Sequence, residues 1–578
     1  MSKKRAHQRM RREEPKTAAR AVTRRSFLKY ILAGIGSAGM GYGSWEFGKR
    51  LPLLMDRQKD RQKLVSLFED RMENPLPIRI IPEYERTLDH ALVVFDNFVL
   101  TRSTFEGSSD ARSAFDQRRY QEFVELLQVL PEYTTIHLMS SRGLESAAER
   151  KFASLPKEIR ERIRLCPIGF EHEGTFLSGQ ATKTWAQDVC EPALLQGERA
   201  VIIPLNRSYD PTQPRTAFFN TAMPSLAEHG FKQILAPVIF DGGNIIPDVV
   251  NGRAYLFMGS TDIGRTIAFY ETVLDIRLTE KEAEELFKKC FGVDEVVVFG
   301  PTLEDYVNMA DAARSGDAYK TLKELQEKTT DKNAVLTVTD GEGDPLISYH
   351  PSGIFGVWVQ GKEFVFPQLK LGGIFEQAAF SYHVDMVMAT HPSGKVSLVE
   401  LAPMTEEEVQ ERAMYYKEVH ARRGLMGEAF DQHVFNDVVR DYLFVDHTIS
   451  ELVRDAEKLK RIYGAANVHR FRSTAHHARN YQAYANTLRF RDRQTGKHRA
   501  IMPVFPTQER WIELELEGEG YSRVTQIVDT GKQEQHSNRG PNFYNRRHFQ
   551  EMGYEVTTIR NVSYVGGGNT NCLVNILS

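Results

Sequence analysis

Cysteine is scarce in this sequence. Its 578 residues include only Cys166, Cys190, Cys290 and Cys572, too few for the disulfide framework of a small secreted domain. No C-x-x-C pair occurs, which argues against a structural zinc site built from thiolates. Each of the four is therefore a candidate free thiol, although burial as a small hydrophobic residue is the commonest fate of such a cysteine.

An excess of charge of one sign is also missing. The 74 basic and 77 acidic residues give a net charge of −3 at pH 7, so no overall field attracts nucleic acid, and none is expected as a partner. The sequence contains no D-x-D-x-D-G loop, so neither calcium dependence nor another cofactor is predicted. Its histidine pairs, His476-His477 and His433 with His447, lack the spacing of metal ligands, and no metal site is predicted.

Long apolar runs are few, and one of them follows a basic stretch near the start. The order "KKRAHQRMRREEPKTAARAVTRR" then "SFLKYILAGIGSAGMGYGSW" is typical of a targeting segment. "TRRSFLK" at 23–29 resembles the twin-arginine consensus, so residues 1–50 are predicted to direct export to the periplasm or the exterior. The apolar run, about 16 residues, is shorter than the roughly 20 of a spanning helix. Membrane contact is expected only through this segment, as an N-terminal anchor if it is not cleaved.

The remaining chain indicates a stalk followed by one α/β domain. Residues 51–80 are charged, helix-prone and closed by prolines, which predicts a helical stalk. From residue 81 onward, strand patterns such as "RAYLFMGS" and "DEVVVFG" alternate with helix patterns such as "EKEAEELFKKCFG". Charge-rich helical segments at 302–332 and 403–463 are predicted as insertions in this catalytic domain, 81–578. No sequence repeat of fixed period is present, which argues against a solenoid.

Four loop-like stretches carry the residue types that chemistry uses. "VIFDGGNIIPD" is predicted as an apolar strand that ends at Asp241, and in "FSYHVDMVMAT" the period of two on a strand points His383 and Asp385 to the same face. The four stretches are "TWAQDVCEP" with Asp188, "VIFDGGNIIPD" with Asp241, "FSYHVDMVMAT" with His383 and Asp385, and "GGGNTNC" with Cys572. Each residue also has an ordinary explanation: Asp188 as a helix cap or surface acid, Asp241 as a turn residue, His383 as a core histidine.

Taken together, these residue types suit one substrate. Carboxylates accept paired hydrogen bonds from a planar guanidinium, and a thiolate is nucleophilic enough to attack its central carbon. The bound cation favours the thiolate, and a histidine can protonate departing ammonia and then deprotonate water. The set therefore predicts attack on a guanidinium group.

The order of the motifs carries a resemblance as well. The series W-x-x-D, D-G-G-N, H-V-D and G-G-G-x-x-x-C resembles that of the guanidino-group-modifying enzymes, the pentein superfamily of deiminases and amidinotransferases. "AYANTLRFRDRQTGKHRAIMPVFP" and "FQEMGYEVTTIRNVSYVGGGNTNC" are similar to its later strands and its final glycine turn. The resemblance covers about residue 185 to the C-terminus and implies a five-bladed pseudo-symmetric α/β propeller with helical insertions.

The resemblance also implies roles for individual residues. Two departures from the superfamily's pattern stand beside the site, Asn571 where histidine is common before the cysteine and Tyr382 where glycine is frequent. The implied catalytic residues are Cys572 as the nucleophile, His383 as the general acid and base, and Asp241 beside the histidine; the implied substrate-binding residues are Asp188, Asp385, Trp185 and Asn244.

The expected activity is a deiminase that converts the guanidinium of peptidyl-arginine into a ureido group and ammonia. Long separations, 142 residues from Asp241 to His383 and 189 from His383 to Cys572, and the export segment favour a protein substrate. The alternatives are an agmatine or free-arginine deiminase, an amidinotransferase, and a catalytically inactive module that binds arginine-bearing peptides. The expected partner is thus an arginine-containing protein or peptide, or a small guanidino compound.

Overall fold

The protein is described by a computed structural model, in which two compact units, residues 1–66 and residues 67–578, can be distinguished. In the first unit the described residues, 61–66, are helical. The domain boundaries expected at residues 50 and 80 stay predictions. The described residues are 61–94, 111–141, 145–153, 155–172, 175–178, 186–206, 224–300, 334–339, 345–349, 355–359, 362–366, 384–400, 452–472, 484–504, 509–515, 522–528, 541–560 and 574–578, with a few single positions between 325 and 417.

The second unit is built from sheets and helices, which confirms the α/β class. In its described part, five sheets contain the same arrangement of three strands: a first strand pairs antiparallel with a second, and the second pairs parallel with a third. Parallel neighbours need a crossover connection, and helical residues lie in each of these five crossovers. We number the five arrangements repeats 1 to 5.

Repeat 1 differs from the others because its first strand comes from far along the chain. The strands, in the order first, second and third, are β24 (Val574–Ile576), β2 (His90–Val94) and β3 (Thr135–Ser141) in repeat 1; β6 (Glu191–Leu195), β7 (Glu198–Ile203) and β8 (Lys232–Leu235) in repeat 2; β9 (Ile245–Val250), β10 (Arg253–Gly259) and β11 (Glu295–Phe299) in repeat 3; β16 (Met388–His391), β17 (Lys395–Glu400) and β18 (Val468–Arg472) in repeat 4; β19 (Leu488–Arg491), β20 (His498–Val504) and β23 (Glu555–Arg560) in repeat 5.

Other strands extend the repeats or lie between them. In repeat 2 the edge of β6 is extended by β1, and in repeat 1 two further strands, β4 and β5, continue from β3. An antiparallel meander separates repeats 3 and 4, and a hairpin lies within repeat 5. The bounds are β1 (Ile78–Ile80), β4 (Ile163–His172), β5 (Thr175–Ser178), the meander strands β12 (Leu336–Thr339), β13 (Pro345–Tyr349), β14 (Phe355–Val359) and β15 (Lys362–Phe366), and the hairpin strands β21 (Glu509–Glu515) and β22 (Ser522–Val528).

Most helices of the described chain lie in the crossovers. Residues 452–463 are helical as well, at the end of the insertion expected at 403–463, whereas the insertion expected at 302–332 lies almost entirely outside the described residues. In the described part of the chain no helix is both apolar enough and long enough to span a bilayer. The helices are α1 (Ala111–Val129), α2 (Glu145–Phe152), α3 (Lys157–Arg160), α4 (Pro224–Glu228), α5 (Ser260–Phe269), which continues into a π-helical turn (Tyr270–Leu274), α6 (Glu280–Phe291) and α7 (Pro541–Glu551).

Helix α6 shows how the sequence sets such an element. Thr279 and Glu282 form a capping box at its start, which satisfies two amides that have no partner inside the helix. Gly292 ends it with a φ of +61°, in the left-handed region that glycine enters without strain. The helix pattern read from "EKEAEELFKKCFG" is therefore confirmed.

Shared apolar cores join the repeats. Leu92 and Met139 of repeat 1 belong to one core with Val201 and Ile203 of repeat 2. A second core includes residues of repeats 1 and 5, and a third includes residues of repeats 3, 4 and 5. Between repeats 2 and 3, the amide of Leu76, just before β1, donates to the carbonyl of Lys289 in α6, at 3.1 Å. Each repeat thus contacts the next one along the chain, and repeat 5 contacts repeat 1.

Buried polar contacts cross the same boundaries. The carboxylate of Asp248 in β9 accepts hydrogen bonds from Tyr84, at 2.7 Å, and from Tyr463. Burial raises the pKa of Asp248 to about 6, although both phenols favour its ionised form. In β19 the guanidinium of Arg489 forms a buried ion pair with Glu83, so repeat 5 is tied to the turn that precedes β2.

Three histidines meet where repeats 1 and 2 adjoin. The Nδ1 atom of His90 lies 3.0 Å from Nε2 of His137, and the ring of His229 lies 4.7 Å from that of His137. Burial lowers the pKa of His90 to about 4 and of His137 to about 3, assisted by nearby Arg199 and by the other rings. Among the described side chains no group of three or more histidine, cysteine or acidic residues is placed to hold a metal ion.

Candidate active site

The candidate residues share one position in the repeats. A short turn comes directly before the first strand of repeats 2 to 5, and that strand begins two to four residues after a polar side chain, which is Asp188, Asp241, Asp385 or Asn486. These turns are Gln187–Val189 before β6, Gly242–Asn244 before β9, Val384–Met386 before β16, and residues 484–487 before β19. In the sequence, Cys572 stands at the corresponding place, two residues before β24.

These turns touch one another in the order of the repeats. A Cβ atom built on Gly242 would lie 1.9 Å from the carbonyl oxygen of Gln187, so the first two turns are in contact through backbone atoms. The side-chain oxygen of Asn244 accepts the amide of Val384 at 3.1 Å. We call residues 186–190, 241–244, 384–386 and 484–487, together with β24, the turn cluster.

Two further contacts complete this cluster. Asn486 donates from Nδ2 to the carboxylate of Asp385. Asn575 in β24 donates from Nδ2 to the carbonyl of Cys190, at 2.6 Å, which joins the strand after Cys572 to the turn that contains Asp188. The motifs that the sequence scatters over almost 400 residues are therefore represented in one contiguous group of turns.

Asp241 precedes the Gly242–Asn244 turn and is only 2% exposed. Its Oδ2 atom lies 2.8 Å from Nη1 of Arg265 in α5, and its backbone amide donates to Asp262 at 3.3 Å. Burial and the charge of Asp241 raise the pKa of Asp262 well above its usual range, although Arg265 opposes the shift. The prediction of a strand that ends at Asp241 was wrong, because β8 ends at Leu235 and β9 begins only after the turn.

Asn244 is fully buried and connects three segments. Its Oδ1 atom accepts two backbone amides, from Gly259 at the end of β10 and from Val384, each at 3.1 Å. Its side-chain amide also forms a hydrogen bond with the carboxylate of Asp262, which lowers the pKa of Asp262 against the effect of burial.

Asp385 lies in the Val384–Met386 turn and is 2% exposed. The strand geometry predicted for the His383 and Asp385 pair was wrong at Asp385, because β16 begins only at Met388. A 3₁₀ turn has about three residues per turn and does not alternate faces, so the period-two argument does not apply there. What the turn does instead is bring the Asp385 carboxylate to Asn486.

Several predicted residues fall on parts of the chain without description. Trp185, His383 and Cys572 lie outside the described residues, as do Asn571, Tyr382 and the export segment at 1–50. For Asp188 the backbone is described, in the Gln187–Val189 turn, and the side chain is not.

Asn486 is the residue of this group that sequence reasoning missed. The stretch "AYANTLRF" was similar to a strand of the superfamily, but that similarity assigned no role to Asn486. Its place two residues before β19 matches that of Cys572 before β24.

Comparison with known proteins finds similar folds among solved structures. No protein-family model and no curated protein matches the chain. A solved structure from Porphyromonas gingivalis, assigned as an arginine deiminase, covers 86% of this chain and 97% of its own at 11% identity, with a TM-score of 0.41. One assigned as a peptidyl-arginine deiminase covers 86% and 98% at 9% identity (TM-score 0.42), and one assigned as an agmatine deiminase covers 88% and 96% at 11% identity (TM-score 0.41). At this level, similarity assigns neither family nor activity.

The three described cysteines lie in the protein interior. Cys166, Cys190 and Cys290 are all buried and free of disulfide bonds. Burial raises the pKa of the Cys290 thiol to about 12 and raises that of Cys190 as well, where Glu191 adds to the effect. Since the thiolate is the nucleophilic form, neither of these two thiols is suited to attack a substrate.

Proposed function

We propose that the protein is a guanidinium hydrolase, a deiminase of the guanidino-group-modifying superfamily, and that its substrate is peptidyl-arginine. We propose with it that the five repeats close into a pseudo-symmetric five-bladed propeller. Shared cores between repeats 1 and 2, among repeats 3, 4 and 5, and between repeats 5 and 1, together with the Leu76–Lys289 hydrogen bond between repeats 2 and 3, support closure.

The observation that carries the proposal is the contact between the turns that hold the carboxylates. Asp241 and Asp385 are both buried, and Asn244 bridges their turns through the amide of Val384. Buried carboxylates are costly unless they are paired with donors or cations. Asp241 is paired with Arg265 and Asp385 accepts from Asn486, and three acidic turns in contact at one place are suited to a planar cation with several N–H donors.

The nucleophile in this proposal is Cys572. Deeply buried thiols with raised pKa values, such as Cys190 and Cys290, are poor nucleophiles. Cys572 precedes β24 by two residues, and Asn575 of that strand binds the carbonyl of Cys190 beside the Asp188 turn. The position of this strand supports a thiol close to the turn cluster.

The reaction would proceed in two halves. The Cys572 thiolate forms a C–S bond with the guanidinium carbon, His383 protonates one nitrogen, and the C–N bond breaks to release ammonia. His383 then takes a proton from water, whose oxygen bonds to the same carbon, and the C–S bond breaks to return the thiolate. The remaining hydroxyl proton is lost as the C=O bond forms and converts the released ammonia into ammonium. The net change is guanidinium plus water to a ureido group plus ammonium.

The carboxylates would bind rather than react. Asp188 and Asp385 would clasp the guanidinium, and Asp241 would orient His383. Arg265 stabilises the charged form of Asp241 at 2.8 Å. Trp185 and Asn244 complete the proposed substrate-binding set.

A protein substrate is chosen on the basis of the sequence. The separation of 189 residues between His383 and Cys572 and the export segment at 1–50 favour an arginine-bearing protein outside the cytoplasm. No cofactor is required by the chemistry above, and neither nucleic acid nor calcium enters it.

The test is product analysis with the full chain. A doubly blocked arginine peptide, free arginine and agmatine are each incubated with the wild type, with Cys572→Ser, and with Cys290→Ala as a matched cysteine control. Ureido product and ammonia from the blocked peptide, lost only in Cys572→Ser, are expected.

Other outcomes select the alternatives. Turnover of free arginine or agmatine without turnover of the blocked peptide would exclude peptidyl-arginine as the substrate and leave the deiminase reaction in place. Product that forms only when an acceptor amine is present would indicate amidino transfer. Binding of the peptide without turnover would indicate an inactive arginine-binding module.

A further inference from the structure

Asn486 and Asp385 form a side-chain pair across two repeats. Asn486, before β19, is fully buried, and its Nδ2 atom donates to Oδ2 of Asp385, before β16. The pair is separated by 101 positions in the sequence, so it depends on how repeats 4 and 5 pack.

The turn that holds Asn486 is itself fixed by hydrogen bonds. The hydroxyl of Thr487 donates to the carbonyl of Tyr484 at 2.7 Å, and the Thr487 amide donates to Ala485 at 2.8 Å. The phenol of Tyr484 in turn donates to Asn542 in α7 at 2.6 Å. The donor therefore sits on a rigid support.

On its other side, the Asp385 turn is held by Asn244. The side-chain oxygen of Asn244 accepts the amide of Val384, the residue next to Asp385. One asparagine thus holds the backbone of this turn from repeat 3, and a second holds its carboxylate from repeat 5.

The chemistry of the donor is significant. An amide N–H stabilises a carboxylate by hydrogen bonding without adding a positive charge. A lysine or arginine at position 486 would also bind the carboxylate, but its own charge would repel a cationic substrate. A neutral donor therefore suits a carboxylate that has to receive a guanidinium.

We propose that Asn486 is a positioning residue of the site, which fixes the Asp385 carboxylate in the orientation that receives the substrate's guanidinium. This inference rests on the proposed function, because it needs Asp385 to bind a guanidinium. The residue acts through Asp385 and takes no part in bond making.

Steady-state kinetics of the full chain on the doubly blocked arginine peptide test the proposal. Asn486→Ala removes the donor, and Asn486→Leu removes it while keeping a similar side-chain volume, in case the alanine variant fails to fold. Loss of one hydrogen bond to a charged group should raise KM about 10- to 100-fold and leave kcat within about threefold.

Tyr463→Phe is the matched control. It deletes a buried hydrogen bond to another carboxylate, that of Asp248, without a hydrogen bond to Asp385 or to the turn that holds Asn486. Melting temperatures of all variants are compared, so that a general loss of packing is recognised by equal effects in the control.

The outcomes separate the two claims. If the wild type turns over the peptide and both Asn486 variants keep its KM, or change KM and kcat as Tyr463→Phe does, the positioning role is overturned and the deiminase stands. If the wild type neither binds nor turns over any guanidino compound, the proposed function fails and the inference falls with it.

Discussion

Replacing Gly242 by alanine tests the contact between the Asp188 turn and the Asp241 turn. The added Cβ atom would lie 1.9 Å from the carbonyl oxygen of Gln187 and 2.8 Å from its carbonyl carbon. Both are backbone atoms, so rotation of a side chain cannot relieve the clash. The two turns have to separate.

The size of the displacement follows from these distances. Ordinary van der Waals contact of a Cβ begins at 3.4 Å, so relief requires a shift of about 1.5 Å. A misplacement on the order of 1 Å can lower a rate about 100-fold, and overpacking of this kind costs about 1–3 kcal/mol of stability. We expect Gly242→Ala to lower kcat/KM by about 100-fold or more and to lower the free energy of unfolding by about 1–3 kcal/mol.

Product formation from the blocked arginine peptide and urea unfolding measure the two effects. Ile136→Val in β3 is the control: it removes one buried methyl, costs about 0.5–1.5 kcal/mol, and lies in the centre of the repeat 1 sheet. It should keep its activity. Wild-type activity and stability in Gly242→Ala would refute the contact between the two turns.

Three further substitutions test the buried polar contacts, each by urea unfolding. In the unfolded chain His137 is protonated below about pH 6.5, whereas burial in the folded protein keeps it neutral down to about pH 3. The free energy of unfolding should therefore fall on acidification, by about 2 kcal/mol at pH 5. His137→Phe should remove this loss. Tyr463→Phe deprives Asp248 of a donor and should cost about 1–3 kcal/mol at pH 7. Arg489→Met leaves the carboxylate of Glu83 buried without its ion pair, which should cost about 3–5 kcal/mol, and adding Glu83→Gln should restore part of it. Wild-type unfolding midpoints in Tyr463→Phe or Arg489→Met, or the same fall in midpoint on acidification in His137→Phe as in the wild type, would contradict these expectations.

Local patterns in the sequence predicted the elements that depend on local signals. The helix at α6 carries its own capping box and its terminal glycine, and β10 and β11 are continuous apolar runs next to turns. Such signals lie within about ten residues of one another, so no knowledge of tertiary contacts is needed to read them.

The five repeats could not be predicted from such local patterns. The first strands of repeats 2 to 5 begin at residues 191, 245, 388 and 488, at intervals of 54, 143 and 100 residues. A search for a fixed period fails on such a series, because the crossovers and the segments between repeats differ so much in length. What the repeats share is strand pairing, which belongs to the backbone rather than to particular side chains.

The local structure around the candidate carboxylates was misread for a related reason. Apolar residues such as Ile239 and Phe240 are buried, and burial gives the same sequence pattern in a strand and in the approach to a turn. The sequence was enough to predict the types of residue at the site, but not the contacts between them. Asn486 acquires a partner only because repeats 4 and 5 adjoin.

The pairing of β2 with β24 has a kinetic consequence. Val93 pairs with Val574, 481 positions later, whereas β9 and β10 are neighbours in sequence. Contacts at long sequence separation form late, because the loop they close is entropically costly. Repeats 2 to 5 can therefore form one after another, while the sheet of repeat 1 is completed only when β24 pairs with β2.

Pulsed hydrogen exchange during refolding should protect the amides of β10 before those of β24, and simultaneous protection would contradict this order. The strand next to Cys572 would then be the last strand of that sheet to pair, so the thiol that we propose as the nucleophile would join the fold only after the other four repeats have formed.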